Sequence, residues 1–120
     1  MAINDLTKKR CLPCEGIGQA MHHQEVIQVL PALEGWHMAQ DEKSISRDFI
    51  FKNFVEAVHA VNAIKDVAEA DNHHPDLHLT QYKKLKVVLS THALGGITEN
   101  DLILAAKINA LGLLKAAKEG

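Results

Sequence analysis

Apolar residues recur along this chain with two different periods, and each change of period marks an expected change of element. Over 24–33, Val26, Ile27, Leu30 and Leu33 follow helical spacing, and Gly35 closes that helix. Trp36 and Met38 then alternate with His37 and Ala39, and Asp41-Glu42-Lys43 makes a polar turn. Ile45, Phe49 and Phe51 share one face of the next strand, with Arg47 between them. Strand, turn, strand predicts a hairpin. Asn53 and Glu56 stand at capping-box spacing and open a second helix. Its expected apolar stripe is Phe54, Ala57, Val58, Val61, Ile64 and Ala68, with Glu56, Lys65, Asp66 and Glu69 left to water. Asn72 and Pro75 break it.

Strand periodicity then returns. Leu77 and Leu79 alternate with Asp76, His78 and Thr80, and after Tyr82-Lys83-Lys84 a fourth strand places Leu85, Val87 and Leu89 on one face. Gly95-Gly96 turns the chain, and Thr98 and Asp101 cap a last helix. There Leu102, Ala105, Ile108, Ala110, Leu111, Leu113 and Leu114 cover more than one stripe, a width that suggests burial in an oligomer. Residues 1–20 carry two glycines, a proline and no steady period, so an irregular arm is expected before a single domain over 21–120. The order α-β-β-α-β-β-α predicts an α+β fold: a four-stranded antiparallel sheet with three helices packed on one face.

Composition narrows the function classes. The chain has 120 residues, 47% of them hydrophobic, enough for one domain with a real core. A formal charge of −2 offers no basic footprint for nucleic acid or an acidic membrane. No apolar run reaches the roughly 20 residues of a membrane span, and the first ten residues lack the apolar segment of a signal peptide. A cytoplasmic protein is expected. Cys11 and Cys14 form a Cys-x-x-Cys pair, which is half a zinc site or a redox pair, set against a solvated arm interrupted by Pro13 and Gly16.

The chemistry concentrates in two short stretches. Glu69-Ala70-Asp71-Asn72-His73-His74-Pro75 follows the second helix, and Ser90-Thr91-His92 follows the fourth strand. Three of the eight histidines lie there, at the ends of elements. An imidazole, with an ordinary pKa of about 6.5, can give or take a proton near neutral pH. His59, on the second helix, reads instead as a surface or boundary residue. A metal is the alternative use of the cluster. Adjacent residues in extended chain point opposite ways, so His73 and His74 make a poor chelate; His74, His92 and Glu69 would be the ligand set. Ser90 and Thr91 lack the sharp elbow of a hydrolase nucleophile. Purely structural histidines remain the plain alternative.

Glu69, His73, His74, Pro75, Tyr82, Ser90, Thr91, His92, Gly96, Thr98 and Asp101 together resemble the pattern of the pterin-4a-carbinolamine dehydratases. The arm Cys11-Leu-Pro-Cys-Glu-Gly16 and the stretches around Gly35-Trp36 and 47–54 extend the resemblance to nearly the whole chain. Asn72 departs from it, standing where many members have an acid, as does Asn100, where animal members often have Arg. The resemblance implies dehydration of 4a-hydroxytetrahydropterin to quinonoid dihydropterin and water, which regenerates the cofactor of aromatic amino acid hydroxylases. It implies no metal and no organic cofactor, and a homodimer or homotetramer. His73, His74 and His92 are the implied catalytic set. His73, His74, Pro75, Thr91, His92, Ala93 and Leu94 are the implied pterin-binding positions, with Glu69 and Asp101 in support. The chemistry of the side chains suits His73 and His92 as an acid/base pair and His74 as the group that orients the pterin, and equally an exchange of the His73 and His74 roles. The competing function is a non-enzymatic oligomeric binding module or transcriptional coactivator of the same fold.

Overall fold

The computed structural model describes residues 3–9, 11 and 18–113. In chain order the elements are α1 (Ile3–Lys8), α2 (His23–Val29), a 3-10 turn (Leu30–Ala32), β1 (His37–Met38) and β2 (Ile45–Ile50). These are followed by α3 (Phe54–Asp71), β3 (Asp76–Thr80), β4 (Lys84–Leu89), a second 3-10 turn (His92–Leu94) and α4 (Glu99–Ala110). The strands form one antiparallel sheet in the order β1-β2-β4-β3. Each hairpin pairs locally, and β2 and β4 join at the centre with Arg47 opposite Val87 and Phe49 opposite Leu85. The fold is the expected α+β arrangement.

Alternation decides which face is covered. Ile45 and Phe49 of β2 and Leu85, Val87 and Leu89 of β4 are buried, whereas Asp48, Lys84 and Lys86 face solvent. Burying one such side chain contributes about 1.5–3 kcal/mol, so a one-residue slip of register would be prohibitive. Arg47 sits on the covered row and is nearly buried. Its guanidinium lies 4.7 Å over the Phe49 ring and donates to Asn109 Oδ1, which also accepts from Trp36 Nε1 at 2.9 Å. Gly35, at φ +85°, passes so close that an added Cβ would lie 2.5 Å from Arg47 Nε. Only glycine meets both demands there.

Four sequence expectations change. The arm is not wholly irregular: α1 packs on α4 and Leu6 is fully buried. The first helix is shorter than expected and tightens into the 3-10 turn at Pro31, whose ring nitrogen has no proton to continue the α-helical ladder. Phe54 does not belong to the core stripe of α3. It is 54% exposed, beside Val55 at 58%. The breadth of α4 is covered in part within the chain: Leu102, Ile103, Leu104, Ala105, Ala106 and Ile108 are all buried, against α1, α3 and β4, whereas Ala110 and Leu111 are exposed.

Candidate active site

The two histidine-bearing stretches are placed by the ends of the elements that precede them. α3 ends at Asn72, whose φ of 50° and ψ of 41° put it in the left-handed region. His73 N–H then reaches back to Ala68 O at 3.2 Å, and Pro75 sets the chain into β3. This helix ending turns His73 toward the start of α4. On the other side, β4 runs out at Leu89 and an isolated bridge pairs Thr91 with Gly96. The bridge closes a loop whose interior is the 3-10 turn His92–Leu94, and Gly95, at φ +69°, completes it. His92 thus stands just beyond the strand end.

Asp101 is the hub that joins the stretches. Its side chain is fully buried in the first turn of α4. Oδ1 lies 2.6 Å from His73 Nε2, and Oδ2 accepts from Thr91 Oγ1 and from the Thr98 backbone N–H, each at 2.9 Å. Thr98 Oγ1 lies 2.8 Å from Thr91 Oγ1 and accepts from Asn100 N–H at 3.2 Å. A hydroxyl has one proton. Since Thr91 gives its proton to Asp101, the proton between the two threonines must come from Thr98. A carboxylate can only accept, so His73 donates through Nε2. With Nε2 committed, the neutral ring carries its lone pair on Nδ1.

The remaining expected site residues are arranged less tightly. His74 is exposed, and its Nε2 is bonded to Glu69 in the last turn of α3. Pro75 and Leu94 are half-buried, and Ala93 and His92 are exposed. His73, Thr91 and Asp101 are therefore joined by direct hydrogen bonds, and His74 and Glu69 form a separate pair. His92 belongs to neither. It opens onto a cleft of about 330 Å³ bordered by Lys43, Asp76 and Ser90.

A second ionic layer lies behind the hub. Lys107 Nζ bonds Asp71 Oδ2 at 2.6 Å, with Asp71 only 4% and Lys107 20% exposed, so the end of α3 is clamped to α4. Cys11 adjoins this pair and its Sγ reaches Asn100 O at 3.6 Å. Burial first, and then the Asp71 carboxylate, push the Cys11 thiol up to about 12. A thiol so held stays protonated and is a poor nucleophile or metal ligand. Cys14 lies outside the described residues. Among the described residues, no three His, Cys, Asp or Glu side chains converge as a metal site would require. The Asp71–Lys107 clamp escaped the sequence reading, although a lone lysine in the apolar run 102–108 was its signal. The hydrogen bond of Thr98 to Thr91 goes beyond the helix cap expected of it.

Comparison with known proteins places the chain in a family. The sequence profile described as Pterin 4 alpha carbinolamine dehydratase matches residues 19–111. A Legionella pneumophila protein provisionally assigned to these dehydratases is 46% identical over 109 residues, covering 90% of this chain and 96% of its own length. The Arabidopsis thaliana protein named mitochondrial pterin-4-alpha-carbinolamine dehydratase 2 is 40% identical over 113 residues, covering 92% of this chain and 60% of its own. Among solved structures, a transcriptional coactivator/pterin dehydratase from Brucella melitensis superposes with a TM-score of 0.72 at 33% identity, covering 78% of this chain and 98% of its own. A pterin dehydratase-like RuBisCO assembly factor shares the fold alone, at 18% identity, with a TM-score of 0.55 and coverage of 65% and 89%. On these matches the chain belongs to the pterin 4 alpha carbinolamine dehydratase family.

Proposed function

We propose that this protein dehydrates 4a-hydroxytetrahydropterin to quinonoid dihydropterin and water, by proton transfer between substrate and histidine. The observation that carries the reading is the His73–Asp101 pair, with Asp101 fixed by Thr91 and Thr98. It leaves one imidazole nitrogen of a nearly buried histidine ready to accept a proton.

The reaction removes the N5 proton, and the freed electron pair turns the existing N5–C4a single bond into a double bond. The bond from C4a to oxygen breaks, and the oxygen takes a proton and leaves as water. His73 Nδ1 takes the proton from N5, and Asp101 stabilises the imidazolium formed. His92, exposed at the cleft, delivers the proton to the departing oxygen and is recharged from solvent. His74, steadied by Glu69, orients the pterin with Pro75 and the 91–94 loop. Each well-placed acid or base is worth about 10²–10⁴-fold.

Proton transfer alone accomplishes this chemistry, so we expect turnover without a metal or organic cofactor. We expect an aromatic amino acid hydroxylase to supply the carbinolamine, and a homodimer or homotetramer to be the working assembly. The site belongs in the cytoplasm on this reading, although the Arabidopsis relative is named mitochondrial. No helix among the described residues is long and apolar enough to cross a membrane.

The test generates the carbinolamine in situ with a hydroxylase and subtracts its spontaneous decay. His73→Ala and His92→Ala should each lower kcat by about 10²–10⁴-fold, and His74→Ala should raise KM more than it lowers kcat. EDTA should change nothing. A folded wild-type protein without turnover would sink the enzyme reading and favour the binding module.

A further inference from the structure

The alternation that buries one face of the sheet turns the other outward, and antiparallel register sets its side chains across from one another in rows. Asp48, Lys86 and His78 make one row across β2, β4 and β3, and Ile50, Lys84 and Thr80 make the next. These two rows wall a cleft of about 300 Å³, at the lower end of the size of small-molecule sites. Phe49 and Leu85 border it too, but their side chains are buried in the core, so they supply its floor with backbone. His73, His74 and His92 stand outside it.

The polar groups of the cleft are uncommitted. Asp48, His78, Thr80, Lys84 and Lys86 make no side-chain hydrogen bond or ion pair with another described residue, although Asp48 stands directly opposite Lys86. Elsewhere on the surface, Lys9 pairs with Glu99 at 2.7 Å and His23 with Glu42 at 3.1 Å. The hairpin that carries the cleft is firm. Gln81 and Tyr82 hold left-handed conformations, with φ of 48° and 56°, that neither residue type favours. Two bonds keep the turn in that form: Lys83 N–H to Gln81 O at 2.7 Å, and Phe51 N–H to Lys83 O at 2.9 Å. Thr80 and Lys84, paired at the base of the turn, are thus placed before any ligand arrives.

Charge and shape decide the ligand. Two ammonium groups against one carboxylate leave a surplus of one positive charge, with histidine counted as neutral. That surplus matches a single anionic group, and Asp48 opposes a second. The Thr80 hydroxyl and a His78 ring N–H can donate to the same anion. Ile50, 36% exposed, and the flat ladder beneath it suit a flat apolar body. We propose that the outer face of β2, β4 and β3 binds a small aromatic monocarboxylate, its anion held by Lys84 and Lys86 and its ring laid against Ile50. The site stands independently of the dehydratase reading.

NMR of the ¹⁵N-labelled full chain tests it with benzoate as the probe, against benzyl alcohol and sulfate at matched ionic strength. Benzoate should move the amides of 48–50, 78–80 and 84–86 saturably, in the millimolar range expected of so open a cleft. Benzyl alcohol lacks the charge and should bind about tenfold more weakly, and sulfate, which has no ring, should also bind more weakly than benzoate. Lys84→Ala and Lys86→Ala should each weaken benzoate by about 3- to 10-fold, and Asp48→Asn should strengthen it by about 2- to 3-fold. No saturable shift at those amides, equal affinity for benzyl alcohol or sulfate, or wild-type affinity in both folded lysine variants would overturn the proposal.

Discussion

Asp101→Asn is the substitution that most directly challenges the site, because it keeps shape and changes only which groups can accept. The wild-type carboxylate accepts on both oxygens, from His73 on one side and from Thr91 and Thr98 on the other. The amide has one accepting oxygen. The Thr98 backbone N–H can only donate, so the oxygen is expected to stay on that side and turn the NH2 toward His73. His73 Nε2 must then accept, which moves the ring proton to Nδ1. Nδ1 is the nitrogen that the mechanism needs bare. We expect kcat to fall by about 10²–10⁴-fold, the worth of a positioned base. Stability should fall by about 1–3 kcal/mol, because hydrogen bonds to a fully buried charged group become neutral ones. In a domain of this size each kcal/mol lowers Tm by about 3–6 °C.

Stopped-flow dehydration well below the variant's Tm separates the two effects, and ¹⁵N NMR of the His73 ring reads the tautomer itself. Thr98→Ala is the companion variant. It removes a helix cap, a cost of about 1 kcal/mol, but leaves the contact between Asp101 and His73. It should lower kcat by less than about tenfold if positioning of the base carries the rate. Turnover by folded Asp101→Asn within about threefold of wild type, with the ring proton moved to Nδ1, would refute the role given to His73.

Three further outcomes follow from the surroundings of the site. Lys107→Met should destabilise the fold by about 3–5 kcal/mol, since it strands the buried Asp71 carboxylate, and adding Asp71→Asn should recover much of that in urea melts. Gly35→Ala should cost more than about 1 kcal/mol by thermal melting, from its positive φ and from the contact with Arg47. The Cys11 thiol, pushed up to about 12 from an ordinary 9.0, should resist alkylation at pH 8. Below pH 9 the thiol is neutral in both the folded and unfolded chain. As pH rises from about 9 towards 12 only the unfolded chain gives up the proton, so stability falls across that window and Cys11→Ala should flatten the fall.

What could be read in the sequence was what periodicity records. β2, β3 and β4 alternate cleanly because one sheet face is covered and the other is wet, so their inward rows were identifiable residue by residue. α1 was not identifiable: six residues are too few to establish a period, and so short a helix depends on packing against α4, where Leu6 is buried. Phe54 failed for a related reason. It has the right spacing for the stripe of α3, but spacing does not show that nothing lies opposite the first turn. The girth of α4 revealed that cover was needed without revealing what supplies it. At the site, His73, Thr91 and Asp101 were identifiable as types, but their pairing was not, because a separation of 28 positions between His73 and Asp101 hides it from local pattern.

Asp101 shows why residue types were so informative and pairing was not. In local terms it is fully explained as the third residue of a helix capped by Thr98, and nothing about it calls for a partner 28 residues away. Yet the cap orients the carboxylate. By taking Oδ2 for the Thr98 N–H and the Thr91 hydroxyl, it leaves Oδ1 as the outward acceptor, and the ending of α3 delivers His73 to it. The Asp71–Lys107 clamp then holds together the two helices that carry the pair. One carboxylate thus starts a helix, closes the 91–96 loop onto it and fixes the tautomer of the proposed base. A substitution at Asp101 cannot disturb catalysis without also disturbing the fold. A substitution at Thr98 or Lys107 can disturb the fold while the contact of His73 with Asp101 survives, and these variants can therefore measure how much of the rate depends on that contact alone.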